Sequence, residues 1–247
     1  MVTKFRALHI VVILAVFLGI ILVFMSYVVL NFAPGSARWP AYYAWDPVTK
    51  ALAQPLSGDG AYQSFILKSW LDERVPFVPI LALPYLTFLV IVPFVVPALN
   101  LAVRSMRRFL TVGLALIVSQ LFLDVSYWLF QTNVPRTATL PDGILGWLVS
   151  MIWGNDQPFN GYPSGHCTWA MIGILSLWRL RWRFPTTAWI LMSWLALVFP
   201  ATVMLQQHFL MDVYAGLFVG FATYWAVMFV VERPALVPRD EGALRRP

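Results

Sequence analysis

Apolar residues dominate six stretches of this chain, at about 8–31, 75–98, 109–131, 165–182, 186–205 and 207–231, and polar residues gather in the gaps. Each stretch approaches the roughly 20 residues with which an α-helix crosses about 30 Å of hydrocarbon. The pattern therefore predicts an all-α polytopic membrane protein with six transmembrane helices. An even number puts both termini on one side. The first stretch follows Lys4 and Arg6, and its apolar length exceeds the roughly 7–15 residues of a signal-peptide core, so it is read as a retained helix. A long gap at about 32–74 is rich in Trp, Tyr, Pro and Gly. The gap at about 132–164 holds "GILGWLVSMIW", which is too short to span and is predicted to lie at the bilayer interface.

Composition agrees with the pattern: of 247 residues, 60% are hydrophobic and only 11% charged, against about 25% charged in an average soluble domain. Basic residues then set the orientation, because Lys and Arg near helix ends stay on the cytoplasmic side. Lys4, Arg6, Arg104, Arg107, Arg108, Arg179, Arg181, Arg183, Arg233, Arg239, Arg245 and Arg246 fall on the side of the termini. Arg38, Lys50, Lys68, Arg74 and Arg136 fall on the other. Both termini are thus expected in the cytoplasm. The formal charge of +6 is a topology signal, and with no basic stripe interleaved with aromatics no nucleic-acid partner is expected. The aromatic residues are read as anchors at the bilayer borders. Cys167 is the single cysteine, so no internal disulfide forms, and it is assigned to packing; His9 is given no role.

With this orientation, polar groups converge at one outer level. "PSGH" places Ser164 at an expected helix N-cap with Gly165 and His166 behind it, so backbone N–H groups and the positive end of a helix dipole face outward, suited to an anion such as phosphate. In "HFLMD", His208 and Asp212 are four apart and share a helix face. There the carboxylate can accept from one imidazole nitrogen and leave the other free to attack. Two histidines allow one to act as nucleophile and the other as general acid. Arg136 supplies a planar fork that matches phosphate oxygens. No spacing of carboxylates or histidines suggests a metal site, and no cofactor is expected.

These motifs resemble the type-2 phosphatidic acid phosphatase superfamily, whose three motifs run K-x6-R-P, P-S-G-H and S-R-x5-H-x3-D. "DQPFNGYPSGH" and "QQHFLMDVYAG" resemble the surroundings of those motifs, and "LDERVPFVPILALPY" resembles the entry to the second span in the inositol phosphorylceramide synthase-like branch. The resemblance covers about residues 70–225, the expected catalytic core of a single integral membrane domain spanning 1–247. It implies that His208 is the nucleophile, Asp212 its orienting partner and His166 the acid for the leaving group. Ser164, Gly165 and Arg136 would hold the phosphate.

The chain also departs from that pattern. Leu129 stands where the first motif has Lys and Thr137 where it has Pro, while Ala201 and Thr202 replace the Ser and Arg of the third. With two cations missing, a singly charged phosphodiester suits the site better than a phosphomonoester, although Gln206 or Gln207 can compensate as donors. Asp124, inside the third stretch, is either a functional acid or a partner of a Ser, Tyr or Gln, and Asp156 and Asn160 either line the site or shape the loop.

The resulting expectation is a metal-independent lipid phosphatase of the plasma membrane, bacterial by resemblance, with an extracytoplasmic site and a phosphohistidine intermediate. A phosphodiester headgroup transferase is the alternative, and a silent lipid-binding member the second. Substrate identity and oligomeric state leave no trace in the sequence.

Overall fold

The computed structural model describes residues 2–32, 43–46, 51–55, 66–130, 132–136 and 138–233. Thr137 and the basic residues Arg38, Lys50, Arg239, Arg245 and Arg246 lie outside them. The core is helical: α1 (Val2–Phe32), α2 (Ala82–Val90), α3 (Val96–Ala102), α4 (Met106–Leu129), α5 (Ile144–Asn155), α6 (Gly165–Leu180), α7 (Pro185–Ala196), α8 (Val198–Met204) and α9 (Leu210–Val231). A two-stranded antiparallel hairpin, β1 (Tyr43–Asp46) and β2 (Ala51–Pro55), lies in the long gap after α1.

Among the described residues, five segments are long and apolar enough to cross a membrane: Ala7–Asn31, Pro79–Ala102, Met106–Leu129, Pro185–Met204 and Leu210–Val231. The sequence pattern predicts six. The sixth, α6, has 16 residues, about 24 Å at 1.5 Å per residue, because the cap at Ser164 and the turn before Pro185 bound it. Prolines shape the others. Pro93 has no N–H to return to the preceding turn, and there the second span widens into a π-turn at Ile91–Val95. Pro200 likewise lacks an N–H for the preceding turn, and α7 and α8 part at Leu197, where the backbone tightens to a Leu197 N to Trp194 carbonyl bond of 3.2 Å. The short apolar piece is a 12-residue helix, α5, as the pattern predicts.

The chain direction alternates through the bundle. Ser26 of α1 bonds Asp124 of α4 at 2.6 Å while Val16 abuts Gly113, so these two helices run parallel. At the opposite end, Arg179 of α6 grips Glu232 with two 2.6 Å bonds, and Thr111 of α4 donates to the same carboxylate at 2.8 Å. This ion pair shares its end of the bundle with Arg104, Arg107, Arg108, Arg181 and Arg183, at the turns between α3 and α4 and between α6 and α7.

Helix α6 is central, packed on α4, α7 and α9. Its approach to α9 is close because α9 carries Gly216 and Gly220: a Cβ on either would meet the Ser164 or Thr168 carbonyl oxygen at 2.4 Å. Thr168 Oγ1 closes the seam by donating to the Ser164 and Gly216 carbonyls at 2.9 and 3.0 Å. Gly216→Val is therefore expected to lower stability by about 1–3 kcal/mol, as overpacking does, and to displace the start of α6. A thermal melt in detergent checks this; an unchanged melting temperature would mean that the two backbones are not this close.

Candidate active site

Two helix starts meet at one end of the bundle. Ser164 caps α6, its Oγ accepting from Cys167 N at 3.3 Å, and its own N–H donates to the Asp212 carbonyl at 3.0 Å. In the first turn of α9, Asp212 Oδ2 accepts from Phe209 N at 2.8 Å. These bonds stitch the two motifs together. The loop before α9 is held by Thr202, whose carbonyl accepts from Gln207 N and His208 N at 2.9 and 3.1 Å.

His208 is 5% exposed, and its two nitrogens have different partners. Nδ1 lies 2.9 Å from the Gly161 carbonyl and 3.6 Å from Asp212 Oδ2. A carbonyl only accepts, so the proton sits on Nδ1 and Nε2 keeps its lone pair when the ring is neutral. Glycine at 161 permits this contact, since a Cβ there would stand 2.9 Å from Thr132 Oγ1 and 3.2 Å from Asp212 Oδ2. His208 Nε2 is 3.2 Å from His166 Nδ1. The Tyr85 ring stacks on His166 at 4.5 Å, with Phe88 5.2 Å away. Asp212 Oδ1 is buried and has no hydrogen-bond partner among the described residues.

The other residues singled out in the sequence have these places. Asp156, at the end of α5, lies 3.8 Å from His166 Nε2 through Oδ2 and accepts from Tyr27 at 2.5 Å and Tyr85 at 3.1 Å. Burial pushes its carboxyl above the usual range, against the opposing effects of the Tyr27 bond and the Arg136 charge. Arg136 is brought near but folds back on α5. Its guanidinium donates to the carbonyls of Trp153, at 2.7 Å, and Asp156, and to Gln207 Oε1 at 3.1 Å. Burial lowers its pKa, and the neighbouring Asp156 works against that.

Asn160 has a left-handed backbone (φ 60°) that asparagine tolerates, and its buried Nδ2, like Gln207 Nε2, has no partner among the described residues. Asp124 bonds Ser26 and Gln120, the latter at 2.8 Å, so of its two readings the hydrogen-bonded one matches the geometry. Leu129 is 68% exposed at the end of α4, whereas Ala201 and Thr202 are fully buried. Gln206 Oε1 accepts from Ala138 N at 2.9 Å. Cys167 is buried at 3.7 Å from Thr202 Oγ1.

Two cavities share His208 as a wall. An inner one runs down between α1, α2, α4 and α6 past Tyr27, Leu89, Gln120, Asn160, Gly165, His166 and Trp169, and among the described residues no Lys, Arg, Asp or Glu lines it. An outer one is edged by Lys68, Asp72, Glu73, Pro135 and Gln206. Sequence reasoning missed the Gly161 carbonyl, Tyr27, Tyr85 and the partnerless Trp169 Nε1. The tyrosines look like any border aromatic, and only their hydroxyl partners distinguish them. Among the described residues, no group of three or more His, Cys, Asp or Glu is placed to hold a metal ion.

The arrangement offers a buried, oriented imidazole lone pair, a second imidazole within proton-transfer reach, and an uncharged cavity open to both. Among curated proteins and solved structures no match was found. A family model described as "PAP2 superfamily" matches residues 108–234, just over half of the chain, from the first turn of α4 to just past α9.

Proposed function

The chain belongs to the PAP2 superfamily, which includes lipid phosphatases and related phosphotransferases, and from that premise we propose that it hydrolyses the phosphate or pyrophosphate ester of a membrane lipid. The observation that carries this reading is the pair of imidazoles 3.2 Å apart, with the His208 proton held on Nδ1 by the Gly161 carbonyl. His208 Nε2 attacks phosphorus and His166 protonates the departing oxygen. Water then resolves the phosphohistidine. Gly165 at the start of α6 and Asn160, which both line the inner cavity, hold the phosphate there, with Ser164 keeping the turn in shape. Arg136 acts at one remove, through Gln207 and the loop that carries His208. At 3.2 Å the two rings leave no room for a phosphoryl group between them, so substrate binding separates them.

Hydrolysis is favoured because His208 also borders the outer, polar cavity, through which water reaches the phosphohistidine without crossing lipid. One observation favours transfer to a second lipid alcohol instead: among the described residues no Lys or Arg stands along the walls of the inner cavity. A single negative charge is easier to bury there than two. In the membrane, α6 completes a sixth crossing together with its flanking turns. The arginine-rich end then faces the cytoplasm and the site faces outward.

Inorganic phosphate release by the purified protein from a panel of phosphomonoester and pyrophosphate lipids, with an added phosphodiester lipid and acceptor analysed in parallel, separates the readings. Hydrolysis gives His208-dependent phosphate. A His208-dependent change of headgroup without phosphate would make the chain a transferase. Neither product would leave a silent member that binds lipid only.

A further inference from the structure

We propose that Asp156 is the positioning residue of His166: it shares one proton with His166 Nε2 and thereby keeps His166 Nδ1 protonated toward the reacting phosphate. This inference rests on the proposed phosphoryl chemistry. It follows from counting protons along a chain of contacts. The Gly161 carbonyl places a proton on His208 Nδ1, so His208 Nε2 is an acceptor and the hydrogen in the 3.2 Å contact belongs to His166 Nδ1. His166 Nε2 then faces Asp156 Oδ2 at 3.8 Å. If both were bare, two lone pairs would oppose each other in a site where the side chains are only 12% and 17% exposed. A proton between them removes the conflict, as imidazolium with carboxylate or imidazole with carboxylic acid. A small turn of the ring closes the gap to a hydrogen bond, the tightening expected when substrate binds.

The surroundings hold Asp156 for this task. Tyr27 from α1 and Tyr85 from α2 each donate a hydroxyl to one of its oxygens, at 2.5 and 3.1 Å. Arg136 donates to its backbone carbonyl and lies close enough to pull on its charge. Tyr85 also stacks on His166 at 4.5 Å and 29° between planes, so one side chain orients both members of the pair. Burial raises the Asp156 carboxyl above the usual carboxylate range, which favours a proton held between the two groups.

In the first half-reaction the bond from His208 Nε2 to phosphorus forms and the phosphorus–oxygen ester bond breaks, its electron pair going to oxygen. The His166 Nδ1 proton moves to that oxygen, and the shared proton settles on His166 Nε2, leaving Asp156 a carboxylate. In the second, His166 Nδ1 takes a proton from water as its oxygen attacks phosphorus. The phosphorus–nitrogen pair returns to His208.

The test compares two esters of phosphate, one with a lipid alcohol as leaving group and one with nitrophenol, whose oxygen departs without needing a proton. In a single turnover, which reads only the transfer of the phosphoryl group to His208, Asp156→Asn is expected to slow reaction of the lipid ester about 100-fold with the half-saturating concentration changed by less than about threefold, and to leave the burst of nitrophenol within about threefold of wild type. Asp156→Glu should recover part of the loss. Equal loss on both esters would mean that Asp156 only supports the fold, and would overturn the proposal while the phosphatase reading stands. Wild-type protein that cleaves neither ester through His208 would overturn both.

Discussion

His208→Ala is expected to abolish turnover, by about 10⁴-fold or more, as removal of a nucleophile does in enzymes whose reaction passes through a covalent intermediate. The magnitude follows from the isolation of the ring. His208 is 5% exposed, and its Nδ1 is committed to the Gly161 carbonyl, so Nε2 is the one atom of this side chain able to meet phosphorus. His166 is not a substitute: its Nδ1 points at His208 and its Nε2 at Asp156. The variant also joins the inner and outer cavities, so a thermal melt must accompany the assay. A folded His208→Ala protein that keeps activity within about tenfold of wild type would put the chemistry elsewhere, because no binding role explains a 10⁴-fold effect as simply as bond formation does.

Asp212→Asn should come next, with a loss of about 10²- to 10³-fold in kcat. Where a carboxylate alone sets the tautomer of a catalytic imidazole, its amide costs about 10⁴-fold. Here the Gly161 carbonyl holds the Nδ1 proton at 2.9 Å, nearer than the 3.6 Å to Asp212, so the tautomer survives the change. What is lost is charge. When the bond to phosphorus forms, the imidazole becomes positive, and Asp212 is the carboxylate beside it, with a buried Oδ1 that no donor among the described residues uses. Asparagine can still accept from Phe209 N and keep the start of α9 capped. The melting temperature should therefore move little while kcat falls and the phosphohistidine accumulates less. Retained activity in Asp212→Asn would reduce Asp212 to a capping residue.

Much of the fold was legible because bilayer thickness imposes a length on apolar runs. The second span starts at Pro79 and not near residue 75, since "VPFVP" keeps that entry out of helix, and α6 ends at Leu180 before the turn that leads to Pro185. The two histidines and Asp212 were legible by spacing, a cap followed by two residues at α6 and a His four residues before an acid, although His208 lies in the loop just before α9 and not on a shared helix face as the spacing predicts. The partners of Asp156 were not. Tyr27 and Tyr85 reach it across 129 and 71 residues of sequence, and no periodicity records which aromatic hydroxyl will meet which acid. Arg136 shows the complementary limit. Its residue type suits a phosphate, yet the carbonyls at the end of α5 engage its guanidinium, a result set by how the loop closes. The one feature that made Asp156 legible was its position a few residues before the cap of α6.

The most direct measurement is a brief reaction with phosphorus-labelled lipid phosphate, stopped in alkali, followed by peptide mapping of the protein. A phosphoryl group that survives alkali, is lost in acid and maps to His208 is the expected result, and it should be absent from His208→Ala. Label on another residue, or phosphate released with no labelled protein at any time while His208→Ala turns over normally, would contradict a phosphohistidine at this site.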